Sequence, residues 1–222
     1  MLTPATERLM EILAKFLQEN QDKSLHLINI GAGMNIYTEE QMASKGYSFI
    51  CDRVDIDECR ISHPTVGDCY QCSVEDMKNV KSEKYDLGFS NYVLEHVEKL
   101  DQAASEIYRV LKPGAVFITT VPNPTAIEFF VAKHTPLWFH KWIRGGTGWE
   151  THYSYKNIKE LCGLFKSAGM ELVRVDYYSC VEGYLERFPV LNILSRIYDR
   201  LNQAIGIHRF MGNVCITFRK PE

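Results

Sequence analysis

The chain has 222 residues, 45% of them hydrophobic and 24% charged, with a formal net charge of −3. Those proportions are ordinary for a folded globular protein, and the length fits one generous domain or a core fold with insertions. A weakly acidic chain offers no broad attraction for a polyanion, so nucleic acid is not an expected partner. No apolar run approaches the ~18 residues of a spanning helix. Glu7, Arg8 and Glu11 interrupt what a secretory leader would need as a continuous apolar core, and the expected location is the cytoplasm. The seven cysteines are dispersed at positions 51, 59, 69, 72, 162, 180 and 215. Cys69-Tyr70-Gln71-Cys72 lacks the second close-spaced pair of a structural zinc site, so buried thiols are favoured over a metal, and no metal is expected.

In chain order, Leu9, Ile12, Leu13, Phe16 and Leu17 recur at helical spacing and predict an amphipathic helix over 5–19. Leu25–Ile30 is a short apolar strand that feeds a glycine loop, Gly31-Ala32-Gly33-Met34-Asn35, and Thr38–Ser44 is the next helix. Strands follow at Tyr47–Val54, Cys69–Val74 and Tyr85–Ser90, with Pro64 and Gly67 leaving little room for a crossover helix between the first two of these. A helix pair at Tyr92–Val97 and Gln102–Leu111 stops at Lys112-Pro113-Gly114, and Ala115–Val121 is the fifth strand. Tyr155–Ala168 is helical, Glu171–Tyr178 is a strand and Val214–Phe218 is the last. This alternation predicts an α/β fold: a Rossmann-like, doubly wound, mostly parallel seven-stranded sheet with helices on both faces. A single domain is expected over 1–222, with an N-terminal helix (1–20), a ligand-binding half (25–121) and substrate-side insertions at 122–155 and 184–210. The first insertion holds Trp138, Trp142 and Trp149. In the second, Leu191, Leu194, Ile197, Leu201 and Ile205 form one apolar helix face that could cover the pocket or pair two subunits, although such a stripe alone more often means core.

Ligands of such sheets bind beyond the carboxyl ends of the strands. Gly31 and Gly33 allow close backbone approach, but the third glycine of the dinucleotide fingerprint is Ile36 here, which disfavours a nicotinamide or flavin dinucleotide. Acids end the second strand at Asp52 and Asp55, Ser73-Val74-Glu75-Asp76-Met77 follows the third, and Ser90-Asn91-Tyr92-Val93-Leu94-Glu95-His96-Val97 follows the fourth.

In the order and spacing of these segments the chain resembles a class I S-adenosylmethionine-dependent methyltransferase, of the group with a Val-Leu-Glu-His-Val segment after strand four. The likeness covers about Leu25–Val121 and, more loosely, the last strand. The resemblance implies an enzyme with S-adenosyl-L-methionine as cofactor. It places Asn29, Gly31, Ala32 and Gly33 around the amino-acid end, where Asn29 replaces an acid and Asn35 a glycine of the family pattern. Asn29 would hold the ammonium through its amide oxygen. It gives the ribose hydroxyls to Asp52 or Asp55, the adenine to Ser73 or the Val74 backbone, and the methyl-transfer side to Ser90 and Asn91.

Methyl transfer is an in-line displacement governed by positioning and water exclusion, and a base is needed only for a weak nucleophile such as a hydroxyl. His96 is the first candidate base, with Glu95 beside it; the alternative is a histidine that only caps or packs the following helix. Quinone-pathway O-methyltransferases resemble this segment and carry a glutamate where Tyr92 stands, so their metal site is not carried over. Phe129–Tyr155 reads either as a lid over the acceptor or as a buried subcore, and His134, His140 and His152 are alternative acceptor-side groups. Trp138, Lys141, Trp142 and Arg144 suit a headgroup boundary, so peripheral membrane contact and a lipid-linked acceptor join the expectation of a small hydroxylated acceptor. The competing functions are a non-catalytic adenosyl-binding module and, behind it, a dinucleotide oxidoreductase.

Overall fold

The computed structural model describes residues 2–127, 154–185 and 189–222. Trp138, Trp142, Trp149, Lys141, Arg144, His134, His140 and His152 lie outside the described residues, together with the lid and headgroup expectations attached to them.

Seven strands form one sheet in the order β3-β2-β1-β4-β5-β7-β6. They are β1 (Leu25–Ile30), β2 (Phe49–Asp55), β3 (Val66–Gln71), β4 (Tyr85–Asn91), β5 (Leu111–Pro122), β6 (Glu171–Tyr178) and β7 (Asn213–Arg219). All neighbours pair in parallel except β7, which is antiparallel to both β5 and β6. The expected mostly parallel sheet is therefore present. The described helices are α1 (Pro4–Glu19), α2 (Tyr37–Ser44), α3 (Leu100–Val110), α4 (Ile158–Ser167), α5 (Val181–Leu185) and α6 (Pro189–Ile205).

Strand alternation divides the core in two. Leu25, Leu27, Phe49, Cys51, Leu87, Phe89 and Ile118 pack on one face with Leu9, Leu13 and Leu17 of α1 and Met42 of α2. Ile28, Ile30, Val54, Phe117, Val121 and Ile216 pack on the other with Ile107 of α3 and Leu161 and Phe165 of α4. Both faces being covered explains why these strands read as apolar runs rather than alternating ones.

Three boundaries depart from expectation. β3 begins at Val66 because it pairs Cys51 with Val66 and Asp55 with Gln71, which leaves Ser73 and Val74 free to turn beyond the sheet. The predicted helix at Tyr92–Val97 is a single 3-10 turn, Leu94–His96. Tyr92 is left-handed at φ +55°, and its N–H is drawn to the Thr120 carbonyl at 3.1 Å, which prevents a helical start. Lys112-Pro113-Gly114 does turn, but inside β5, where the pairing with β4 shifts between Tyr85 and Leu87.

The largest correction concerns α6. Its apolar stripe was expected in the core, yet Leu194, Ile197, Leu201 and Ile205 are exposed, while Asn192, Ser195 and Asn202 are buried.

Candidate active site

The strand order reverses between β1 and β4, so the chain leaves the sheet in opposite directions there and opens a crevice at the carboxyl ends. A cleft of about 630 Å³ occupies it, walled by Ile30, Val54, Val74, Val93 and Val97. The glycine loop closes one side. Gly31 sits at φ +69°, and a Cβ there would come within 2.2 Å of the Val93 side chain, so no other residue fits. The N–H groups of Gly31 and Ala32 bend back to the Val54 carbonyl at 2.8 and 3.2 Å.

Of the expected residues, Gly31, Gly33, Asp55, Ser73, Val74 and His96 line this cleft. Asp55 accepts the Gly33 N–H at 2.7 Å on one oxygen and the Asp57 N–H at 2.9 Å on the other. Ser73 accepts the Glu75 N–H at 3.1 Å. His96, on the 3-10 turn after β4, has a side chain 32% exposed. Carboxylates dominate the lining: Asp57, Glu58, Glu75 and Glu98 join Asp55, and no lysine or arginine stands among the described lining residues.

Six expected residues are elsewhere. Asp52 and Asp55 are three apart on one strand and point to opposite sides of the sheet. Asp52 is buried, accepting from Lys84 Nζ at 2.5 Å, the Tyr85 hydroxyl at 2.7 Å and the Asp68 N–H at 2.9 Å. Gly67 makes room for it, since a Cβ there would lie 2.3 Å from an Asp52 oxygen. Burial, then the adjacent carboxylate, pushes the Tyr85 hydroxyl well above its ordinary range, so Tyr85 stays a donor. Ala32 is buried in the loop rather than lining the cleft. Ser90 is buried against Thr119 at 2.8 Å. Asn91 spends its amide oxygen on Thr6 at 2.9 Å and Thr120 at 2.6 Å, tying the start of α1 to the tip of β4. Tyr92 extends that tie, its hydroxyl bonding Thr3 and donating to Asn213.

Asn29 also turns away. Its amide donates to Glu39 of α2 at 2.9 Å, in a buried cluster completed by Arg53. Arg53 donates to Glu39 at 2.7 Å and to the carbonyls of Ala32, Gly33 and Asn35 at 3.1, 3.1 and 2.9 Å. The guanidinium thus holds three carbonyls of the glycine loop, a role the sequence reading missed. The signal was a charged residue inside a buried strand, one that cannot be buried without partners.

Glu95 is buried behind the cleft, with Oε2 unpartnered and Oε1 4.0 Å from His96 Nε2. Burial pushes its carboxyl up to about 8, so near neutrality the protonated form dominates. A raised carboxyl stabilises the fold fully below its ordinary range, about pH 4.5, and that contribution is lost as pH rises through about 8. Glu95→Gln cannot ionise. It is expected to match wild type near pH 4 and exceed it by about 4–5 kcal/mol near pH 9 in urea unfolding. An equal difference at both pH values would refute the assignment.

A second cavity of about 890 Å³ lies at the same sheet edge, beyond β5 and β6. Its polar lining is Asn123, Thr125, Asn157, Lys159, His208 and Arg209, with Tyr177 stacked on His208 at 3.8 Å. Its described lining is basic or neutral, where the cleft is acidic.

A family profile described as a methyltransferase domain matches residues 2–175. The ubiquinone biosynthesis O-methyltransferase, mitochondrial, of Rattus norvegicus is 35% identical over 80 residues, 32% of this chain and 23% of that protein. The chain spans less than a quarter of the length of the curated relatives it matches. Among solved structures, Haemonchus contortus phosphoethanolamine N-methyltransferase 2 with S-adenosyl-L-methionine superposes with TM-score 0.59 at 15% identity, over 95% of this chain and 53% of that one. The [4+2]-cyclase SpnF gives TM-score 0.59 at 16% identity, over 95% and 81%. These likenesses establish the fold.

Proposed function

We propose that this chain, which belongs to the methyltransferase-domain family, transfers a methyl group from S-adenosylmethionine to an oxygen of a small or lipid-linked molecule. Because the same fold occurs in a cyclase, the reading rests on family membership and on the site, not on architecture. The single observation that carries it is the charge of the cleft: five carboxylates and no lysine or arginine among its described lining. Such a site favours a ligand bearing sulfonium and ammonium charges and repels a pyrophosphate, which sets the dinucleotide reading aside.

When bound, S-adenosylmethionine supplies an activated methyl group on a positively charged sulfur. Asp55 would hold the ribose: each of its oxygens accepts one backbone N–H and keeps a lone pair for a hydroxyl. Ser73 and the Val74 backbone would face the adenine, Gly31 and Gly33 the amino-acid end, and the valine walls would exclude water. His96 would take the proton of an acceptor hydroxyl. The O-methyl transfer named for the rat relative supports oxygen as the acceptor atom. The second cavity, with amides, a hydroxyl and cations, suits a hydroxylated, neutral or anionic acceptor. A non-catalytic adenosyl-binding module remains the second reading, favoured by Asn29, which faces Glu39 where the family has an acid.

Calorimetry separates these readings. S-adenosylhomocysteine is expected to bind the wild type, and Asp55→Ala to weaken it by about 10- to 100-fold through two lost charge-assisted contacts. Asp52→Ala is expected to leave affinity within about threefold while lowering stability by about 2–4 kcal/mol, since it strands Lys84 and Tyr85. The reverse pattern would remove Asp55 from the site, and no binding to wild type would remove the function. Binding with no turnover on any acceptor would leave the module.

A further inference from the structure

α6 is amphipathic the wrong way round for a core helix. Its polar side faces the protein and is pinned there: Asp199 accepts from Ser179 Oγ at 2.6 Å and from the N–H groups of Val181 and Glu182 at 3.0 and 2.8 Å. Asn192 donates to the Glu182 carbonyl at 3.1 Å and Gln203 to the Tyr177 carbonyl at 3.1 Å. These bonds fix the helix's rotation, so the outward stripe is not free to turn inward. Ile193, Leu194, Ile197, Leu201 and Ile205 stand 59, 59, 52, 56 and 63% exposed. A contiguous aliphatic stripe of this kind marks a contact surface rather than scattered surface residues.

The charge beside the stripe chooses the occupant. An interfacial helix needs no shape-matched partner, only an acyl boundary in which to sink its apolar side, with cations flanking it. The one acid of α6, Asp199, is committed inward, whereas Arg196, bridged to Glu182 at 2.6 Å, and Arg200 are exposed beside the stripe. Past the helix end, His208 and Arg209 lead into the second cavity. No described helix is long and apolar enough to cross a membrane.

We propose that α6 lies flat on an anionic lipid surface, burying Leu194, Ile197, Leu201 and Ile205 and setting Arg200 and Arg209 against the headgroups. The inference goes beyond methyl transfer and stands without it.

The full chain is sedimented with vesicles of phosphatidylcholine containing roughly one-third phosphatidylglycerol, and with phosphatidylcholine alone. Wild type is expected to pellet with the anionic vesicles about tenfold more than with neutral ones, less so as salt is raised. Ile197→Glu/Leu201→Glu is expected to lose at least about tenfold of that partition with an unchanged far-ultraviolet circular dichroism spectrum. Arg200→Glu, at an exposed position, is expected to weaken it several-fold for anionic vesicles alone. Both variants keep wild-type affinity for S-adenosylhomocysteine, so this test and the methyl-transfer reading fail separately. Wild type left in the supernatant, or variants that pellet like wild type, overturns the proposal. So does a dimer in analytical ultracentrifugation that the double substitution dissociates, with no vesicle binding, because a second copy then covers the stripe.

Discussion

His96→Asn is expected to lower turnover on a hydroxyl acceptor by about 10²- to 10⁴-fold, the span a positioned proton acceptor contributes. Affinity for S-adenosylhomocysteine should stay within about threefold, because the cofactor contacts proposed above come from Asp55, Ser73, Val74 and the glycine loop. His96 lies on the cleft side of the turn that follows β4, and its N–H to the Val93 carbonyl at 2.9 Å fixes that turn. Glu95 is buried, with its carboxyl raised to about 8, and stands outside the described lining of the cleft. Among the remaining cleft acids, Asp55 and Glu75 already accept backbone N–H groups, from Gly33 and Asp57 and from Glu98 and Lys99 respectively. The acceptor is found by screening hydroxylated lipids and glycosides for methyl-labelled product, after which the two proteins are compared across pH. Full turnover by His96→Asn would leave the histidine a packing residue and turn attention to an acceptor that needs no base, such as an amine.

What the sequence could show depended on whether a signal was local. Apolar runs bounded by turns located the central strands, because both sheet faces are covered there, whereas the edge strands β3 and β6 mix polar and apolar residues. Gly31 was legible because its constraint is local. Asp52 and Asp55 stayed alternatives although alternation already assigned them to opposite faces; which face held the cleft depended on Gly67 and Lys84, far along the chain. The α6 stripe gave the period correctly and the direction wrongly. Periodicity shows that a helix has two sides but not which side faces the sheet, and here Asp199, Asn192 and Asn202 found inward partners. Tyr92 read as helical because left-handed geometry at a non-glycine residue is imposed by its neighbours, here Thr120.

Arg53→Met is expected to be the most destabilising single change in the loop region, by about 3–5 kcal/mol, or on the order of 10 °C in Tm for a chain this size. Arg53 is fully buried and its partner Glu39 nearly so, at 0% and 1% side-chain exposure. Removing the guanidinium leaves a carboxylate with no countercharge in the interior and releases the carbonyls of Ala32, Gly33 and Asn35. The pair is already imperfectly satisfied, since Glu39 Oε2 and Arg53 Nε have no hydrogen-bond partner. Its net worth over an apolar pair is therefore small, whereas its rupture is expensive. Arg53→Met/Glu39→Met should consequently cost less than Arg53→Met alone, a coupling that a double-mutant cycle in urea reads directly. The double variant should still bind S-adenosylhomocysteine more weakly than wild type, because three loop carbonyls lose the donor that holds Gly31 and Gly33 against the cleft. If Arg53→Met unfolds within about 1 kcal/mol of wild type, the loop is held by its own backbone bonds to Val54, and the buried pair is incidental to the site.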